Sequence, residues 1–153
     1  MIPDPLHPAL VHMPLALVVL LPMFTLAALL VMRRGAQPRS IWLVVMALQV
    51  ILSISTWAAV ETGERDEDYF EHGSSEEAFE AHEELAEGFE IFAMVVLPLA
   101  AAGFLAGRLG QAARYLYLAA TIGLLVVGAM VGHRGGVIIY PNGAEATAEA
   151  LTS

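Results

Sequence analysis

The chain contains no cysteine. That excludes disulfides, thiolate metal centres, iron–sulfur clusters and covalently attached c-type haem, whose attachment needs Cys-x-x-Cys-His, and it leaves imidazole and carboxylate as the strong ligands. Charge is scarce too: 15% of residues are charged and 58% hydrophobic, with a mean hydropathy of +0.67, whereas an ordinary soluble domain is about 25% charged. Serines are few, none stands in G-x-S-x-G, and "HEELAE" lacks the second histidine of a zinc-protease helix, so there is no hydrolytic or nucleophilic constellation. Redox chemistry is the kind of activity left open. No repeat at a solenoid period and no low-complexity linker interrupt residues 1–153, which read as one domain.

What is present is four uncharged runs, residues 11–32, 41–60, 91–107 and 115–132. Each is about long enough to cross a hydrocarbon core of roughly 30 Å at 1.5 Å per residue, the third only if it borrows from its flanks. Continuous runs rather than alternating ones exclude a spanning barrel. The expected fold is an all-α membrane protein, an antiparallel four-helix transmembrane bundle spanning about 11–32, 41–60, 75–107 and 115–133, with an acidic loop over 61–74 and a small, polar, frayed tail over 143–153. No cleavable leader is expected, since residues 1–6 lack a basic stretch and no A-x-A site closes the first run.

Charge sets the expected orientation. Five of the seven cations, Arg33, Arg34, Arg39, Arg108 and Arg114, fall in the connections after the first and third runs, which hold no acid. All sixteen Asp and Glu residues fall on the other side. The positive-inside rule then puts both termini and the acidic loop away from the cytoplasm. The acids behind the formal net charge of −9 all belong to that outer face, which repels nucleic acid.

The segment 61–90 holds thirteen of the sixteen acids, yet its second half reads as helix: Ser75 caps it and acids follow in the first turn. Steps of 100° from His82 put Ala78, Leu85, Ala86, Phe89, Ala93 and Val96 on its side, with Glu76, Glu77, Glu80, Glu83, Glu84, Glu87 and Glu90 opposite. The third helix therefore extends beyond the bilayer near Ser75, with His82 on its inward stripe.

The histidines sort to one side. His7 and His12 open the first helix, His82 heads the third, His133 ends the fourth before Gly135 and Gly136, and His72 lies in the charged loop. None is at the arginine end. An ionisable group near membrane depth on an inward face points to function. His7 and His12, five apart, stand 140° apart on a helix and cannot clamp one ion as an i, i+4 pair does. Pro14 would loosen the turn around His12, and His12, framed by "ALVHMPLAL", is the expected inward member.

"LHPALVHMP", "ETGE" after the second run, His82, and "GHRGGVIIYPNG" after the fourth together resemble the bacterial four-helix membrane family catalogued as domain of unknown function 2231. The resemblance spans nearly the whole chain and implies the four-helix fold, a bacterial cytoplasmic (inner) membrane location and His7, His12, His82 and His133 as the positions to watch. The acidic insert around 66–77 departs from the family's shorter loop.

Three functions fit these residues. In the first, imidazoles from facing helices ligate haem b for electron transfer, His12 with His133 the expected pair and His7 and His82 a second pair or their orienting groups. Ala81, Ala86, Gly88, Ala93, Gly128 and Gly132 would make room for the macrocycle. In the second, the same histidines with Glu61 or Glu83 hold a divalent transition metal. In the third, the chain is a structural subunit of a larger membrane complex without a cofactor. The acidic face suits a basic periplasmic electron carrier, and the chain is compatible with a homo-oligomer or with other membrane subunits. Transport is disfavoured, because no charge lies in mid-span and the polar groups there are few: Thr25, Gln49, Ser53, Ser55, Thr56 and Thr121.

Overall fold

A computed structural model describes residues 7–35, 37–65 and 76–139. All regular structure among them is helical: α1 (His7–Leu10), α2 (His12–Arg33), α3 (Pro38–Arg65), α4 (Glu76–Ala102) and α5 (Gly107–Ile139). Helix is what uncharged runs of this length must form if they are to satisfy every backbone N–H and C=O internally. Four helical segments are long and apolar enough to cross a membrane, α1 and α2 counting as one. Large apolar residues also face outward, among them Val95, Leu116, Ile54 and Met23, as on helices that are apolar all round.

Several helix limits differ from the expected spans. α3 runs on to Arg65, five residues beyond its apolar run; a Glu61–Arg65 ion pair one turn apart, 2.6 Å, supports that polar end. α4 stops at Ala102, short of residue 107, and α5 begins at Gly107 rather than near 115. Arg108 and Arg114 therefore lie in the first turns of α5, not in a connection. The fourth helix also does not stop at Gly135 and Gly136; it continues through both to Ile139. Ser75, the expected cap of α4, lies outside the described residues, as do His72 and the tail.

The helices pack in a ring in which each long helix touches two neighbours: α2 on α3 and α5, and α4 on α3 and α5. The core runs along the middle, from Leu17, Val18 and Leu21 of α2 and Trp42, Val45 and Leu52 of α3 to Phe89, Ala93 and Val96 of α4 and Tyr117 and Leu124 of α5. Within it the Gln49 side-chain amide donates to the Ala93 carbonyl (2.9 Å) and accepts from the Tyr117 hydroxyl (2.8 Å), and Ser53 reaches the same carbonyl at 3.2 Å. Gln49 thus joins α3 to α4 and α5, as a satisfied interhelical group. Thr25 and Thr56 return their hydroxyls to carbonyls one turn back on their own helices, so no continuous polar path follows from them.

At the arginine end, Arg33 bonds the Tyr115 hydroxyl and Arg114 the Gly103 carbonyl, its guanidinium 5.6 Å from the centre of the Trp42 ring system. Gly103 is where the indole of Trp42 lies against the α4 backbone, and any Cβ there would overlap the ring. Gly107 has open space around it and a φ of +71°, which suits the turn into α5.

Candidate functional site

At the opposite end of the ring, a cavity of about 440 Å³ opens among all four long helices. Most of its wall is apolar: Val11 and Leu15, Ala59 and Val60, Phe79, Ala86 and Phe89, Val131 and Ile138. Gly128 and Gly132 let α5 approach closely, each within van der Waals reach of an α2 side chain, Val18 and Leu15. The polar groups on the wall are few, namely His7, His12, Thr56, Glu64, His82 and Glu83. A mostly apolar pocket with a handful of convergent polar groups is the usual form of a small-molecule or cofactor site.

His7 comes from the separate turn α1. Pro14 has no N–H to give the Leu10 carbonyl, yet the backbone stays helical through Val11, whose N–H reaches the His7 carbonyl at 3.1 Å and whose carbonyl accepts the Leu15 N–H at 3.3 Å. The half-buried His7 ring then lies against α3, where Nδ1–H donates to the Ala59 carbonyl at 2.8 Å. With Nδ1 carrying the proton, Nε2 is the nitrogen with the lone pair. His82, half-buried on α4, hydrogen-bonds to the Val131 backbone on α5 and lies within electrostatic reach of both the His7 ring and Arg134. Its Nδ1 is buried and has no partner among the described residues, so the bond to Val131 runs through Nε2. Arg134 is held nearby by donating to the Ala81 carbonyl at 2.9 Å.

Of the expected site residues, the structure brings together His7 and His82, with His12 at the cavity's edge. His12 is exposed and His7 is inward, the reverse of the expected assignment; the two stand about 140° apart on the helix, and it is the His7 side that meets α3. His133 is exposed and lies on a shallow apolar face of α5 with Met130 and Arg134, away from the cavity. About 140° of helix separates it from Gly128, so His12 and His133 do not form a pair across the cavity. Glu61 is committed to Arg65. Glu83, expected on the outward side of its helix with the other acids, is half-buried and lines the cavity, whereas Glu80, Glu84 and Glu87 are exposed as expected. Gly88 is exposed, with open space around it, and makes no room in the cavity.

Among the described residues, no three of His, Asp and Glu stand close enough together to hold a metal ion. The sequence reading also missed Ala59 and Val131, whose contribution is a backbone carbonyl with no side-chain signature, and the glycines beside them. No protein-family model, curated protein or solved structure matches the chain.

Proposed function

We propose that this chain is an integral membrane protein, an antiparallel four-helix bundle of the domain of unknown function 2231 type, whose histidine end faces away from the cytoplasm of a bacterial cell. Its cavity binds haem b between His7 and His82 for electron transfer. The observation that carries this reading is the pair of imidazoles from facing helices on one apolar wall, each with one ring N–H given to a backbone carbonyl. That anchoring is the usual support of a ligating histidine, because it fixes the ring and its tautomer. A porphyrin brings four nitrogens of its own and asks the protein for one or two, whereas a bare transition metal asks for three or four. Two imidazoles, with no group of three His, Asp or Glu among the described residues close enough to hold an ion, therefore favour haem over a His/carboxylate cation site. Haem would supply one-electron exchange at its iron. The chain's own work would be to hold the His7 and His82 rings, exclude water with Phe79, Phe89 and Val131, and present exposed acids (Glu64, Glu80, Glu84 and Glu87) to a basic soluble carrier.

One observation favours a second ligand. The nitrogen that His82 offers is Nδ1, the one beside the ring's attachment to Cβ, and it is buried. Such an acceptor also suits the hydroxyl of a lipid-soluble phenol or hydroquinone, for which an unpaired partner would be costly. Protein purified from haem-sufficient cells separates the two: a Soret band with reduced α and β bands is expected for haem. Colourless protein that binds a hydroquinone analogue would replace haem by the second ligand. Colourless protein that takes up neither would leave the cofactor-free structural subunit.

Orientation has its own test. A reporter fused after Ser153 should be non-cytoplasmic and one inserted at Ala36 cytoplasmic. The reverse result would put the histidine end inside the cell and remove the periplasmic carrier from consideration.

A further inference from the structure

His7 and His82 are docked by one device used twice. His7 gives its N–H to the carbonyl of Ala59 and lies against Gly63, four residues further along α3. His82 bonds the backbone of Val131 and lies against Gly135, four residues further along α5. In a helix the carbonyl of residue i already accepts the N–H of residue i+4, so a side chain can reach only its remaining lone pair, over the surface of residue i+4. A Cβ at Gly63 would stand 3.1 Å from Nδ1 and 3.2 Å from Cε1 of His7, and one at Gly135 3.1 Å from Cε1 and 3.6 Å from Nε2 of His82. Both rings would be pushed outward by a few tenths of an ångström, off the carbonyls that fix them.

We propose that Gly63 and Gly135 are positioning residues, each forming with the carbonyl four residues before it a flat seat that sets where an imidazole stands and which ring nitrogen faces the cavity. The first hairpin seats its histidine on its second helix and the second hairpin does the same, so the two imidazoles converge on the cavity as a matched pair. The seat stands on geometry; its consequence for haem rests on the function proposed above.

The test uses the full-length protein in detergent with ¹⁵N-labelled histidine, reading the ring nitrogens by NMR before any haem is added and then titrating haemin. Gly135→Ala should move the His82 nitrogen signals and weaken haemin binding about 10–100-fold, the usual effect of disturbing a ligand's supporting contacts. Gly63→Ala should do the same through His7. Gly88→Ala on α4, where a methyl meets nothing within 4 Å, should change neither. If Gly135→Ala is poorly folded, Gly135→Ala combined with His82→Ala should fold better than Gly135→Ala alone, because the ring that the methyl meets is gone; no such recovery would overturn the proposal. Unmoved His82 signals in a folded Gly135→Ala protein would overturn it too. Signals that move while even the parent protein fails to bind haemin would uphold the seat and reject haem as the ligand.

Discussion

Replacing both His7 and His82 by Ala should reduce haemin binding to background, while His133→Ala leaves the spectrum as it is. His7 and His82 stand on one cavity wall with their second nitrogens anchored on Ala59 and Val131, whereas His133 is exposed on another face of α5. The single variants are the more informative. Each removes one imidazole and leaves a space of about its size beside an otherwise intact pocket. The iron should then pass from six-coordinate to five-coordinate with a shifted Soret band, and millimolar imidazole should restore the parent spectrum. His82→Ala also removes a buried ring nitrogen that has no partner among the described residues, which should offset part of the cost of the space and of the Val131 bond lost with the ring. A double variant that binds haemin like the parent would refute the assignment. Loss of the spectrum in His133→Ala would return the ligands to the helix-end pair expected from sequence.

The four long helices are legible in the sequence because each contains an uncharged run too long for anything but a spanning or core helix. Their ends are not, since apolarity marks where lipid or core would be and says nothing of where helical hydrogen bonding stops. Residues 61–65 and, Leu109 apart, 107–114 are polar, small or charged, yet they propagate helix without difficulty. His82 could be placed because Phe89, Ala93 and Val96 continue its stripe for four turns and all three are buried. His7 and His12 could not, because their spacing of about 140° separates them without saying which of the two sides meets α3. Depth at the outer helix ends pairs His133 with His12 but leaves its angle on α5 open, and Gly135, which reads as part of a helix stop, faces a histidine of the neighbouring helix. Which helix lies beside which decides that, and no local pattern carries it.

Trp42→Ala should be the most destabilising single substitution outside the cavity, and the comparison that measures it lies within the same helix. Trp42 and Trp57 are the two tryptophans of the chain, 0% and 52% exposed. For a bundle embedded as proposed above, the alternative to a helix–helix contact is lipid, so the hydrophobic transfer gain would be small and packing with hydrogen bonding would do the holding. Trp42 has both kinds of contact. Its ring meets Tyr117 edge-on at 5.4 Å, it lies against Gly103, and its indole N–H donates to the Ala100 carbonyl at 2.8 Å. Truncation would leave a void between α3, α4 and α5 that no neighbour can fill, because Gly103 has no side chain and Tyr117 is held by Gln49. The expected loss is about 3 kcal/mol, the lower end of the range for a buried tryptophan, because the transfer part is muted in lipid. Trp42→Phe keeps most of the ring and should cost about 1 kcal/mol, since the Ala100 carbonyl retains the Gly103 N–H at 3.1 Å. Trp57→Ala, on an exposed face, should stay within about 0.5 kcal/mol of the parent. Unfolding by sodium dodecyl sulfate from mild-detergent micelles, followed by circular dichroism, reads all three. Equal midpoints for Trp42→Ala and Trp57→Ala would mean that the ring of helices is not held at the arginine end by the Trp42 contact.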